Sequence, residues 1–283
     1  VSVVRVTMGH VSLPADTISQ QLSEAVLAAM NDATATEVMP RWRALEDHEI
    51  RTKSSEWDLV TDADEAAERM LTVALRELVD VPVVGEEATA QDKSLLDLVD
   101  GQGAVWVVDP VDGTRNFVAG TEAFGCMVAL IDDGRTVASW ITYPAVGREA
   151  HAARGVGAFL DGERLTASAP KDPAALAGAV SGKYHPDGPD ELFARASRLG
   201  PAKPIRFCAA WDYLDVVTGV TDFVKFTRTL PWDHAPGALI CQEAGLKAAR
   251  PNGEEYLPGG DVQSGILTAH PSVWDRVATA LRG

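Results

Sequence analysis

The chain has 283 residues, of which 46% are hydrophobic and 23% charged, and it carries a formal net charge of -16. That is long enough for a sizeable core, in one large domain or two packed lobes. So acidic a balance excludes the basic footprint that nucleic acid or an anionic membrane demands.

The chain opens on Val1, with Met8 a candidate start and residues 1–7 an upstream extension. Residues 16–45 read as one long amphipathic helix, with Ile18, Leu22, Ala25, Val26, Ala29 and Met30 at helical spacing and Asp16 as its cap. A polar stretch from Glu46 to Trp57 follows. A second helix is expected over 62–79, where Ala66, Met70, Val73, Ala74 and Leu78 share a face. Then the pattern changes. Pro82-Val83-Val84 and the run at 104–108 are short apolar strands, each ending at acidic residues. Strands at 124–131, 135–143, 147–153 and 156–160, with turns at Asp133-Gly134 and Asp161-Gly162, make an antiparallel meander. The second half alternates strands (177–183, 204–208, 222–227, 264–269) with helices (190–199, 210–218, 233–244, 271–281) around a Pro/Gly-rich loop at 186–189.

These elements predict an α+β architecture, two sheets with helices between and outside them. A boundary near 165–175, at Pro170 and Pro173, divides an N-terminal lobe (8–168) from a C-terminal lobe (169–283). No apolar run approaches the ~18 residues of a membrane span, and no signal-peptide layout opens the chain. Three cysteines (Cys126, Cys208, Cys241) cannot all pair and form no C-x-x-C motif, so a reducing, cytoplasmic setting with buried thiols is expected.

Four acidic segments stand at the ends of apolar elements: Asp62 with Asp64, Glu86 with Glu87, Asp109 with Asp112, and Asp233. Side chains there can converge on a cleft. In Asp109-Pro110-Val111-Asp112-Gly113-Thr114, Pro110 extends Asp109, and the three-residue spacing lets both carboxylates turn to one point. Val111 contributes a carbonyl oxygen. Gly113 admits an anion close to the backbone, and a short helix over 113–118 offers its free amides to phosphate. Every candidate ligand is a hard oxygen, which favours Mg²⁺ or Mn²⁺ over Zn²⁺. Taken alone, Asp-Pro-x-Asp-Gly is also an ordinary turn, and it is the other acidic segments that favour a metal site.

Gly85-Glu86-Glu87, Trp106-Val107-Val108-Asp109-Pro110-Val111-Asp112-Gly113-Thr114 with Asn116-Phe117, and Trp232-Asp233 with Ala235, Gly237, Glu243 and Gly245 resemble the inositol monophosphatase family. Lys53-Ser54-Ser55, Asp58-Leu59-Val60-Thr61 and Asp64 match its upstream motif, and the resemblance runs over about 16–282. It implies a layered αβαβα fold and a lithium-sensitive phosphoric monoester hydrolase using two or three Mg²⁺ ions, with Mn²⁺ as a substitute. It implies that Glu86, Asp109, Val111, Asp112 and Asp233 hold metal. Glu86, Thr114 and Asp64 would activate water, and Asp112, Gly113 and Thr114 would hold the phosphate. A homodimer is also implied. Lys53 either closes over the metals or merely solvates. Glu87 is expected to point away, His234 to support from behind, Trp232 to pack in the core and Asp62 to start a helix.

The organic half of the substrate is another matter. Where the family has Gly-(Ser/Thr)-Ala-Ala, this chain has Phe207-Cys208-Ala209-Ala210; where inositol-specific members have glutamate, it has Phe226. Ala209, Phe226 and Lys53 are the candidate substrate contacts, and inositol 1-phosphate is disfavoured. Lys183, Tyr184, His185, Lys203, Arg206, Lys225 and Arg228 form either a second-phosphate site or plain surface charge. Fructose 1,6-bisphosphate, adenosine 3',5'-bisphosphate and histidinol phosphate are the alternative substrates. A catalytically silent binding protein is the alternative class, disfavoured because Glu86, Asp109, Asp112 and Asp233 are all present.

Overall fold

Helix α1 (Gln20–Ala33) begins at Ser19, whose hydroxyl accepts from the Leu22 amide. This computed structural model describes residues 18–53, 59–185 and 187–282, so Asp16, Pro186 and the stretch Ser54–Asp58 lie outside the described residues. The long helix expected over 16–45 is shorter. Past Ala33 it widens into a π turn, Thr34–Val38, and ends. Pro40 explains this, because it cannot donate to the helical ladder and its ring crowds the carbonyl four residues back. Thr34 adds to the distortion, its hydroxyl donating to the Met30 carbonyl at 2.9 Å.

The other elements follow in chain order. Strand β1 (Ile50–Thr52), inside the stretch read as polar, and β2 (Leu59–Thr61), just beyond it, form an antiparallel pair too short to show a period. Next come α2 (Asp62–Leu78), β3 (Val83–Gly85), α3 (Glu86–Gln91), β4 (Ala104–Asp112) and α4 (Thr114–Val118). The meander is β5 (Gly125–Asp132), β6 (Arg135–Tyr143), β7 (Arg148–Ala153), β8 (Gly157–Leu160) and a short β9 (Glu163–Leu165) that the sequence pattern did not show. The remainder is β10 (Gly178–Val180), α5 (Pro189–Ser197), β11 (Ala202–Pro204), α6 (Ala209–Val217), β12 (Phe223–Phe226), α7 (Pro231–Glu243), β13 (Lys247–Ala249), β14 (Ile266–Ala269) and α8 (Pro271–Arg282). The strand expected over 204–208 stops at Pro204, which has no N–H to extend the ladder.

Strands β3 to β9 lie in sequence order in one sheet, antiparallel except for the parallel pair β3–β4. The second sheet has the order β11-β10-β12-β14-β13 and is mixed. Alternation along β4 decides the layering. Trp106 and Val108 face α1 and α2, while Val105 and Val107 face Trp232 and Ala235 of α7. Helices α6 and α7 are buried between the sheets, where Met127 and Ile141 meet Tyr213, Leu239 and Ile240, and Val224 and Ile266 close the far side. Outside the second sheet, α5 and α8 cover Phe223, Leu267 and Ala269. The result is α, β, α, β, α in layers.

The middle layer is tight at Gly237, where a Cβ would sit 2.0 Å from Cδ2 of Tyr213. That ring cannot retreat: Phe226 packs on it at 5.3 Å and its hydroxyl lies 3.0 Å from Nδ1 of His234. Helix propensity favours Gly237→Ala by about 1 kcal/mol, but overpacking opposes it by about 1–3 kcal/mol. With the ring pinned, the clash wins. Thermal denaturation of Gly237→Ala should show a Tm about 2–8 °C below wild type; an equal or higher Tm would refute the packing account.

Candidate active site

The parity that turns Val105 and Val107 toward α7 turns Asp109 the same way. Asp233 stands in the first turn of α7, on that side. Glu86 opens α3 directly after β3, whose Gly85 pairs with Val108. Three elements therefore deliver Glu86, Asp109 and Asp233 to one point, and one carboxylate oxygen of each lies within 4.8 Å of the others. Burial, then the charges of Glu86 and Asp112, push the Asp109 carboxyl well above the usual carboxylate range, and Asp233 shifts likewise for the same reasons. Three acidic groups so close in a dry site need a counter-charge. An all-oxygen donor set of this kind fits a hard divalent cation.

Between Asp109 and Asp112 the β4–β5 register slips, and Pro110 sits in the gap, where no ladder donor is needed. The Val111 amide donates to Oδ1 of Asp109 at 3.1 Å. Gly113 takes φ +84°, and a Cβ there would lie 2.9 Å from both the Ala123 carbonyl oxygen and Cβ of Cys208. Only glycine fits, so the chain turns sharply into α4. Thr114 is aimed by that turn: its hydroxyl lies 3.1 Å from Oδ1 of Asp64 and 3.1 Å from the Val111 carbonyl oxygen. The other oxygen of Asp64 accepts from the Thr61 amide at 2.8 Å and from the Thr61 hydroxyl, a capping box that starts α2. Burial holds Asp64 up at about 6.

Asp112 lies beside the trio with its Oδ2 held by the start of α6. That oxygen accepts from the Ala210 amide at 2.6 Å and from the Cys208 thiol at 3.0 Å. The other expected ligand atom, the Val111 carbonyl oxygen, lies 3.1 Å from the Thr114 hydroxyl, and with that hydroxyl's one proton directed to Asp64 it has lone pairs to offer.

Lys53 does not solvate. Its ammonium is 2.6 Å from Oε1 of Glu86 and 2.7 Å from Oε1 of Glu87. Burial opposes the charge on Lys53, but the two glutamates outweigh it and raise its pKa. Glu87 therefore does not point away: it is buried, and burial followed by the Glu86 charge lifts it to about 8. Glu68 is a further buried acid, not singled out from the sequence. Its carboxylate accepts from the amides of Glu87 (2.7 Å) and Ala88 (2.8 Å), which fixes the start of α3 and hence Glu86. The signal was available, since Glu68 lies four residues after Asp64 on the apolar face of α2. Asp62 starts α2 and pairs with Arg51 at the surface.

The carboxylates form one end of a cleft of about 730 Å³. Of the candidate substrate contacts, Ala209 and Phe226 line it and Lys53 is not among the lining residues; His234 lines it too. His234 is buried, bonded to Tyr213 and packed at a tilt against Phe226 with ring centroids 4.6 Å apart, and burial pushes its imidazole down to about 3. The candidate cations separate into two groups. Lys203 and Arg206 are both engaged by Asp215, and Lys225 is buried with its ammonium on the Phe226 carbonyl. Lys183, Tyr184 and Arg228 do line the cleft, with Arg228 stacked 4.7 Å over the Tyr184 ring.

A family model described as the inositol monophosphatase family matches residues 19–282. The chain belongs to that family. It is thereby a phosphoric monoester hydrolase, one of a metal-dependent family, and the acidic trio is the group that could hold the metal. The chain is 34% identical to the Nus factor SuhB of Pseudomonas aeruginosa, over 74% of this chain and 78% of that one. It is 30% identical to a fructose-1,6-bisphosphatase/inositol-1-monophosphatase of Thermotoga maritima, over 77% of this chain and 80% of that one. A solved Thermotoga maritima inositol monophosphatase superposes with a TM-score of 0.77 across 93% of this chain and 97% of that one; at 23% identity it speaks for the fold alone.

The raised acids have a consequence for the metal-free protein. The native state binds more protons than the unfolded chain once pH exceeds the ordinary carboxylate range, so stability falls as pH rises through the elevated values. Neutralising one member relieves this. In chelator-treated samples Asp109→Asn should melt above wild type, by about 2–8 °C at about pH 8 and by less at about pH 5. A wild type that melts higher at about pH 8 would contradict the crowding account.

Proposed function

We propose that the chain is a Mg²⁺-dependent phosphomonoesterase that hydrolyses a small phosphorylated metabolite by direct attack of water. The convergence of Glu86, Asp109 and Asp233 beside the Thr114–Asp64 pair carries this reading. Glu86, Asp109 and Asp233, with Asp112 and the Val111 carbonyl, would hold the ions. When bound, Mg²⁺ ions supply the charge that acidifies a water and neutralises the phosphoryl and leaving oxygens.

The protein's own groups do the rest. Thr114 donates its hydroxyl proton to Asp64, which leaves a lone pair facing the cleft for a proton of the attacking water. That proton passes to Thr114 as Thr114 gives its own to Asp64, the water oxygen bonds to phosphorus as the bond from phosphorus to the ester oxygen breaks, and a solvent proton completes the leaving hydroxyl. Thr61 keeps Asp64 oriented by donating to its second oxygen. The amides of Gly113 and Thr114, at the start of α4, face the phosphate. Lys53 holds Glu86 and Glu87 in place until cation binds.

The relatives bear different names, a Nus factor and a fructose-1,6-bisphosphatase/inositol-1-monophosphatase among them, so the substrate must be argued from the cleft. Phe226, buried where inositol-specific members carry a carboxylate, speaks against a polyol. The reading includes a homodimer and a reducing, cytoplasmic compartment, the latter supported by three buried, unpaired cysteines.

Phosphate release by purified protein should require added Mg²⁺ and stop with chelator. Asp109→Asn should lower kcat/KM at least about 10²-fold, and Thr114→Ala by a similar order. Undiminished turnover by Asp109→Asn would sink the proposal.

A further inference from the structure

Beside the carboxylates, the cleft is lined by Val180, Pro189, Phe193, Pro204, Ile205 and Phe207. Phe207 is the anomaly among them. It adopts φ +56°, a left-handed conformation that a bulky residue rarely enters. Its ring is nonetheless 56% exposed, so no burial compensates the strain.

The neighbours hold it there. The Arg206 amide donates to both carboxylate oxygens of Asp212, at 3.0 and 3.1 Å, and the Arg206 carbonyl accepts from Nδ2 of Asn116 at 2.9 Å. On the other side, the Cys208 carbonyl accepts from the Asp212 amide at 3.1 Å. The guanidinium of Arg115 lies 5.6 Å from the ring centroid. A conformation over-determined in this way persists at functional sites. An exposed apolar ring fixed over a cleft that leads to a phosphatase centre has an obvious occupant, the leaving group.

We infer that Phe207 is the specificity-determining residue for a substrate whose leaving group carries a flat aromatic or heteroaromatic ring, held against the apolar lining of the cleft. This deepens the phosphatase reading and rests on it. Two observations carry it independently of the strain. Phe193, Pro189, Pro204 and Ile205 line the same cleft as Phe207 and offer a ring apolar contact. Tyr184, 39% exposed and backed by Arg228, adds a second aromatic face at the same cleft.

The test compares 2-phenylethyl phosphate, glycerol 2-phosphate and inositol 1-phosphate, all alkyl esters, on Mg²⁺-loaded protein. The expected result is a kcat/KM for 2-phenylethyl phosphate at least about tenfold above that for inositol 1-phosphate. Phe207→Gly suits φ +56° and should fold as well as wild type. It should lower the 2-phenylethyl to glycerol phosphate ratio about tenfold. Phe207→Tyr, which keeps the ring, should keep the ratio. An unchanged ratio in Phe207→Gly, or a wild-type preference for inositol 1-phosphate, overturns the inference and leaves the phosphatase standing. Release from none of the three substrates overturns both.

Discussion

Mutual repulsion among Glu86, Asp109 and Asp233 is the constraint around which the rest of the structure is arranged. Three carboxylates brought together in a poorly hydrated cleft oppose folding unless their charge is met. Lys53 meets part of it, bridging Glu86 and Glu87. Hydrogen bonds meet more. Asp112 is satisfied by the start of α6, and Glu68 by the start of α3. Both helices thus direct their positive ends at acids, the arrangement that their backbone dipoles favour. What remains unmet is the demand for a cation.

The apolar layers make that arrangement rigid. Trp106 and Val108 anchor β4 to the outer helices, and Val105 and Val107 anchor it to α7. Asp109 therefore cannot withdraw from Asp233 without unpacking the sheet. Gly113 and Gly237 perform related tasks, one admitting a sharp turn beside Cys208 and the other admitting the Tyr213 ring. Tyr213 in turn carries His234, so the middle layer connects directly to the cleft wall.

A division of labour runs along the cleft. One end is oxygen-rich and suited to phosphate and metal, and it varies little in what it can do chemically. Residues of α5, β11 and the link into α6, all from the second half of the chain, add an apolar and aromatic part of the lining. That separation suits a family in which the reaction is shared and names such as Nus factor and fructose-1,6-bisphosphatase diverge.

Much of this was legible in the residue order. Periodicity marked α2, the meander and the terminal helix. The spacing of Asp109, Pro110, Asp112 and Gly113 marked the loop, and the acids at element ends marked the site. These features are local, so a linear pattern records them. Strands β1, β9 and β13 were not legible because three residues carry no period, and the end of α1 was misjudged because Pro40 acts a full turn ahead of itself. Contacts across the fold were beyond the sequence altogether. Glu87 turns inward because Lys53 arrives from β1, Lys203 and Arg206 are occupied because Asp215 faces them, and Phe207 is presented because Asp212 and Asn116 hold the chain on either side. Residue order by itself determined which chemistry is possible here, since hard oxygen donors and a phosphate-sized turn are written in consecutive residues. Only the tertiary structure decided which charges are free to act, because that depends on pairings between residues in different elements, from Arg206 with Asp212 to Lys53 with Glu87.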